Sequence, residues 1–289
     1  KAGWLADITD FMKDPKLTAP DLVESDFSAA GLTYAKNDRG RMLSLPWSVD
    51  YFILYYNKEI FERKKVEVPK TLDEMNELAA KLTDEKAGIY GYVGRGLKNA
   101  NMTLWTNYFL NYGGEFLDGK GGILTDGPEA IEATKCYVRS NKSSPPGVAG
   151  FNWMEALASF AQGRAAMWID GVGWAPGVEN PNSSRIVGKV GYTMVPAGPK
   201  GQFSATYGDG IGIAAASRNK EAAYLYCQWA VSKQMTGRLL QAGGGVPFRN
   251  SVLNDEEVRK GVKLPKEWLQ SVVDAAKISK LGLPVIIPV

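Results

Sequence analysis

The chain has 289 residues, enough for one large domain or two ordinary ones, and its 45% hydrophobic and 22% charged content is that of a globular protein. Its 34 basic and 31 acidic residues leave a net charge of +3 with no Lys/Arg run, which argues against nucleic acid or anionic lipid as the main partner. The absence of histidine excludes Ser-His-Asp and Cys-His nucleophilic chemistry and the usual zinc sites, and no apolar run approaches the about 18 residues of a membrane helix.

In chain order, the first ten residues contain no basic-plus-apolar leader, and 17–34 reads as an irregular helical region. Arg41–Leu45 begins a strand that breaks at Pro46, exposing Trp47 and Asp50. Tyr51-Phe-Ile-Leu-Tyr-Tyr56 then reads as a second strand, buried on both faces. An acid and an indole at the mouth of such a strand fit a capped turn with an anchoring ring, or a ligand site at a strand terminus.

A helix is expected from Thr71, where Thr71 and Glu74 make a capping box ahead of Leu72, Met75, Leu78, Ala79 and Leu82 on one face. Gly88–Gly94 reads as a short strand, and 101–112 and 125–141 as helices. Asn152 and Glu155 cap the next helix, stopped by Gly163, and Ala165–Ile169 is a strand ending in the loop Asp170-Gly-Val-Gly-Trp174. Strands at 189–195 and 204–216 follow, then a helix capped by Ser217, a helix at 234–241 ended by Gly243-Gly-Gly245, one near Asp255, and one at 265–277. The alternation of strands and helices makes the class α/β with mixed sheets.

Three chemistries are weighed. Gly94-Arg-Gly lacks the third glycine of a dinucleotide loop, and Gly208-Asp-Gly-Ile-Gly opens a strand instead of a helix, so no phosphate loop is expected. A glycoside hydrolase would need two carboxyls roughly 5 to 10 Å apart, and Asp50 with Asp209 or Asp170 are the candidates. The same acids beside Trp47, Trp174 and loop glycines also fit hydrogen bonds to hydroxyls and rings stacked on C–H faces, without catalysis. Glycines 208, 210 and 212 fit either close backbone packing or main chain meeting a ligand. Cys136 and Cys227 lie in separate helical patterns and indicate neither a metal site nor a disulfide framework.

The ordered set Lys1-Ala-Gly-Trp-Leu-Ala-Asp-Ile-Thr, Leu45-Pro-Trp-Ser-Val-Asp50 with Leu54-Tyr-Tyr-Asn-Lys, Pro69-Lys-Thr-Leu-Asp-Glu, Trp153-Met-Glu-Ala through Phe160-Ala-Gln-Gly-Arg-Ala-Ala-Met, Gly188-Lys-Val-Gly, Ala197-Gly-Pro and Gly245-Val-Pro-Phe-Arg-Asn-Ser-Val resembles extracellular solute-binding proteins of the maltose-binding type. The resemblance implies a two-lobed α/β fold of the type II periplasmic-binding-protein kind, with a hinge, that binds a sugar or polyol and delivers it to the permease subunits of an ABC importer. It further implies a non-enzymatic monomer without cofactor or nucleic-acid partner, in the periplasm or as an extracytoplasmic lipoprotein, and a chain incomplete at both ends. The lobes implied are 1–49 with 211–254, and 53–205 with 258–289, crossing near 49–52, 205–211 and 254–258. Cys136 and Cys227 would then lie in different lobes, where a disulfide would lock the hinge, so free thiols are expected.

Carried over by position, Asp50 resembles the acid at the first crossover that accepts sugar hydroxyls. Trp174 resembles the aromatic platform, and Trp153 a helix-start aromatic of the binding site. Gly208 and Asp209 match the second crossover, where Asp209 departs from the family's pattern, and Arg249 matches a polar contact. Trp47 is expected as either binding wall or turn anchor.

Overall fold

The structure, a computed structural model, describes residues 3–283; the sequence features at Lys1-Ala2 and from Pro284 onward lie outside the described residues. The chain forms two compact units, unit 1 from residues 3–50 and 207–263 and unit 2 from residues 51–206 and 264–283.

Unit 1 starts with the short helices α1 (Thr9–Lys13) and α2 (Ala29–Ala35), and β1 (Ser44–Asn57) takes the chain into unit 2. The expected break at Pro46 is absent: β1 is one strand of 14 residues. Proline removes a single ladder donor, and the pairing of this end is made further on, by Ser48 and Val49.

In unit 2, Phe52–Tyr56 pairs antiparallel with β2 (Met167–Gly171), Phe52 opposite Gly171 and Tyr56 opposite Met167. Along its other edge Ile53–Asn57 pairs antiparallel with β3 (Val190–Met194). A strand flanked on both edges and covered on both faces explains the apolar run, and Ile53, Leu54 and Tyr55 have no exposed surface. The helices of this unit are α3 (Lys58–Lys64), α4 (Leu72–Leu82), α5 (Ala100–Asn111), α6 (Pro128–Asn141), α7 (Trp153–Ala161) and α8 (Ala175–Val178). Both expected capping boxes form: Thr71 Oγ1 accepts from Glu74 N at 3.1 Å, and Glu155 Oε2 accepts from Asn152 N at 2.9 Å. The stretch 88–94 makes isolated bridges, Tyr90 to Ala165 and Val93 to Trp168, in place of the expected strand. Its three glycines supply no side chains to pack.

β4 (Ser204–Gly212) returns the chain to unit 1, which continues with α9 (Lys220–Ala230), α10 (Lys233–Ala242), β5 (Val246–Pro247), α11 (Asn250–Leu253) and α12 (Glu256–Lys260). Here Ser48 and Val49 of β1 pair antiparallel with Pro247 and Val246. The cap of α9 differs from expectation: Asn219 is the cap residue, and Ser217 Oγ instead accepts from Asn219 N at 3.2 Å. The final step into unit 2 follows Lys263, later than the 254–258 that the resemblance implies. Asp255 caps α12 by accepting from Glu257 N and Val258 N, and Gln241 Nε2 of α10 donates to the Val258 carbonyl, so α12 stays in unit 1. The chain then adds α13 (Lys266–Lys277) and β6 (Ser279–Leu281) to unit 2, with β6 parallel to Ser204–Thr206 of β4.

Cys136 in unit 2 and Cys227 in unit 1 are both buried free thiols, and burial pushes both thiols up. Among the described residues no helix is long and apolar enough to cross a membrane.

Candidate functional site

The densest constellation of site-type residues lies in unit 2, at the end of β2. Residues i and i+2 of a strand share a face, so Trp168 and Asp170 point the same way. The Trp168 ring packs inward against Tyr55 and Phe160, with centroids 4.8 and 5.6 Å apart. Its Nε1 donates to Asp170 Oδ2 at 3.1 Å. Asp170 has no exposed surface and accepts from its neighbour Gly171 N at 2.7 Å. Opposite it, Arg95 Nε donates to Asp170 Oδ2 at 2.8 Å and Nη2 donates to Oδ1, a bidentate fork that matches carboxylate geometry. Arg95 Nη1 donates to Thr103 Oγ1 at 3.0 Å, and the Tyr137 hydroxyl donates to the Arg95 carbonyl at 2.5 Å. Burial raises the Tyr137 phenol, which keeps it a proton donor. Asp170 is therefore unavailable as a general acid or base of the hydrolase alternative.

The Trp153 ring lies against the Arg95 guanidinium, and Trp174 stacks on Trp153. Trp153 is the first residue of α7, fixed by the Asn152 cap, and 40% of it is exposed. Trp174 ends the tight turn after β2, and the Trp268 Nε1 of α13 holds that turn by donating to the Val172 carbonyl at 3.0 Å. The two indoles stack with centroids 6.5 Å apart and planes 18° from parallel. The guanidinium carbon of Arg95 stands 5.5 Å from the Trp153 ring and 5.6 Å from Phe52. Trp174 Nε1 is shielded and meets no acceptor among the described residues.

Sequence reasoning missed Arg95, Thr103 and Phe52. The available signal was the triplet Gly94-Arg-Gly96, read only as a failed phosphate loop. A Cβ at Gly96 would lie 2.2 Å from the Val148 carbonyl oxygen, so this glycine lets the Arg95 backbone approach another segment closely.

In unit 1 the expected residues lie as follows. Trp47 is 39% exposed and, with Ser48, Thr236, Leu239 and Val246, borders a small cavity of about 50 Å³. Asp50 is half-buried and is the last residue of the unit's first segment. Asp209 is exposed. Gly208 packs against Phe248: a Cβ there would fall 2.2 Å from Phe248 Cζ, which gives this glycine a packing reason independent of any ligand.

Arg249 departs from the expected role of polar contact. It is 1% exposed, and its donors go to Asp26 Oδ2 at 2.7 Å, the Val231 carbonyl at 3.2 Å and the Asp21 carbonyl at 2.5 Å. A guanidinium so enclosed anchors unit 1. Among the described residues no group of three or more Cys, Asp or Glu could hold a metal ion.

Residues 1–236 match the family described as bacterial extracellular solute-binding protein. The chain belongs to that family. A Sinorhizobium fredii member of similar sequence, named as a probable amino-acid ABC transporter periplasmic-binding protein, is 29% identical over 265 residues, covering 89% of this chain. The chain spans 59% of that relative's own length. Among solved structures, an ABC transporter solute-binding protein of Agrobacterium radiobacter K84 in complex with ribitol is similar with a TM-score of 0.84 and 29% identity, over 96% of this chain and 69% of that one. The maltose-bound MalE3 of T. maritima is similar with a TM-score of 0.85 and 25% identity, over 99% of this chain and 71% of that one. These likenesses place the chain in the type II periplasmic-binding-protein class of mixed α/β folds.

Proposed function

We propose that the protein binds a neutral polyhydroxylated solute, a sugar or polyol, without transforming it, and hands it to the permease subunits of an ABC importer. The observation that carries this reading is the near-parallel indole pair Trp153 and Trp174 beside a buried Arg95–Asp170 pair whose charges are spent on each other. Flat apolar rings take up the C–H faces of a sugar or polyol. The Arg95–Asp170 pair, satisfied internally, offers its charges to neither the ammonium nor the carboxylate of an amino acid. The ribitol- and maltose-bound structural relatives support this choice over the amino-acid description of the Sinorhizobium relative.

Within unit 1, Trp47, Asp50, Gly208 and Asp209 are proposed solute contacts in their own right, and Arg249 is not. Asp50→Asn is expected to weaken solute binding by about 1.5 to 3 kcal/mol, the worth of a hydrogen bond to a charged group; unchanged affinity in calorimetry would remove Asp50 from the set. A monomer outside the cytoplasm, periplasmic or lipid-anchored, with no nucleic-acid partner fits the family and the near-balanced charge.

The reading is tested by thermal shift against polyols, sugars and amino acids, with turnover of aryl glycosides measured in parallel. A ligand at about 100 times its Kd adds about 2.7 kcal/mol of stability. A shift with a polyol or sugar, and no product release, is expected. Shifts confined to amino acids, or sustained turnover, would contradict it.

A further inference from the structure

We infer that Arg95 is the positioning residue of the indole pair, holding Trp153 at the height and angle that make it parallel to Trp174; the inference rests on the solute-binding reading for its consequence, though not for its geometry. An exposed indole at the first position of a helix has its backbone fixed by the cap, but the cap does not choose among its rotamers. The guanidinium supplies that restraint. Two of its donors, along one edge, are held by Asp170 and a third by Thr103, so its plane is fixed, and its central carbon stands 5.6 Å from the Phe52 ring and 5.5 Å from the Trp153 ring.

Asp170 is itself immobile. It has no exposed surface, and Trp168 Nε1 and Gly171 N both donate to it from β2. Rigidity therefore passes from the unit 2 core through Trp168, Asp170 and Arg95 to Trp153. Stability alone does not account for the pair, because a buried ion pair is often replaceable by apolar side chains of similar volume without loss. Its geometric function is not replaceable in that way: a flexible apolar chain does not fix the plane of a ring, and a lysine offers no planar fork.

The test is near-UV circular dichroism of the free protein, together with calorimetric titration of ribitol, mannitol and maltose. The Trp153→Phe variant defines the part of the indole band that Trp153 contributes. Arg95→Lys is expected to lose most of that part while keeping its far-UV spectrum, and to bind the preferred solute at least tenfold more weakly. Should Arg95→Lys not fold, the double variant Arg95→Met with Asp170→Leu removes both buried charges together. It is expected to fold, less stable than the wild type because Trp168 Nε1 loses its acceptor, and still to lose the band. A folded variant of either kind with the full Trp153 band and wild-type affinity would overturn the inference. If the wild type binds none of the three solutes, the solute-binding reading fails, while the band, recorded without solute, still decides the role of Arg95.

Discussion

Asp26→Ala is expected to destabilise unit 1 by about 3 kcal/mol at neutral pH, read as a lowered midpoint of urea unfolding with little change in slope. Asp26 accepts from Arg249 Nε at 2.7 Å, Ser251 N at 2.8 Å and Ser251 Oγ at 2.6 Å, and it joins the start of the chain to α11 across more than 200 residues of sequence. Removing it leaves the Arg249 guanidinium buried with backbone carbonyls and the distant carboxylate of Asp21, 3.4 Å away, as its partners. Burial pushes the Asp26 carboxyl up, but the Ser251 hydrogen bonds and the Arg249 charge outweigh it, and the group is held below its ordinary value of 3.8. A carboxyl lowered in the folded state contributes stability that is fully present above its unfolded pKa and is lost as pH falls through the folded value. The difference between wild type and Asp26→Asn should accordingly be constant from pH 5 to 7 and shrink below about pH 4. A difference unchanged at pH 3 would show that the carboxylate charge is not what is used.

Asp170→Ala is expected to cost about 3 to 5 kcal/mol, since it strips the bidentate partner from an arginine that is 6% exposed and leaves Trp168 Nε1 without its acceptor. Asp170→Asn keeps an oxygen for one donor and should fall between the two, by chemical unfolding. The loss should appear in stability before any titration with solute. An Asp170 variant with wild-type stability and altered solute chemistry would instead restore this residue as a reacting group.

Much of this architecture was legible because its causes are local. The capping boxes Thr71–Glu74 and Asn152–Glu155 need only a spacing of three, and Tyr51–Tyr56 reads as a covered strand because its neighbours bury both faces. Pro46 was misleading, since one missing donor does not end a strand whose pairing resumes at Ser48. Nothing along the chain announced the near-parallel stack of Trp153 and Trp174 or the cation beside it. Arg95 and Asp170 are 75 residues apart, and Asp26 and Arg249 are 223 apart. Nothing in the spacing along the chain says which arginine meets which acid. Arg249, expected at the ligand, is buried in unit 1 with Asp26 and two backbone carbonyls, and Arg95, passed over between two glycines, stands beside the Trp153 ring.

The central claim is that the Trp153–Trp174 pair is a solute platform. Its most direct test is calorimetric titration of ribitol, mannitol and maltose into the wild type and Trp174→Ala, with thermal unfolding recorded for both. The account predicts one-to-one binding of at least one of these solutes by the wild type, and at least tenfold weaker binding by a folded Trp174→Ala. Equal affinity in a folded Trp174→Ala would contradict it.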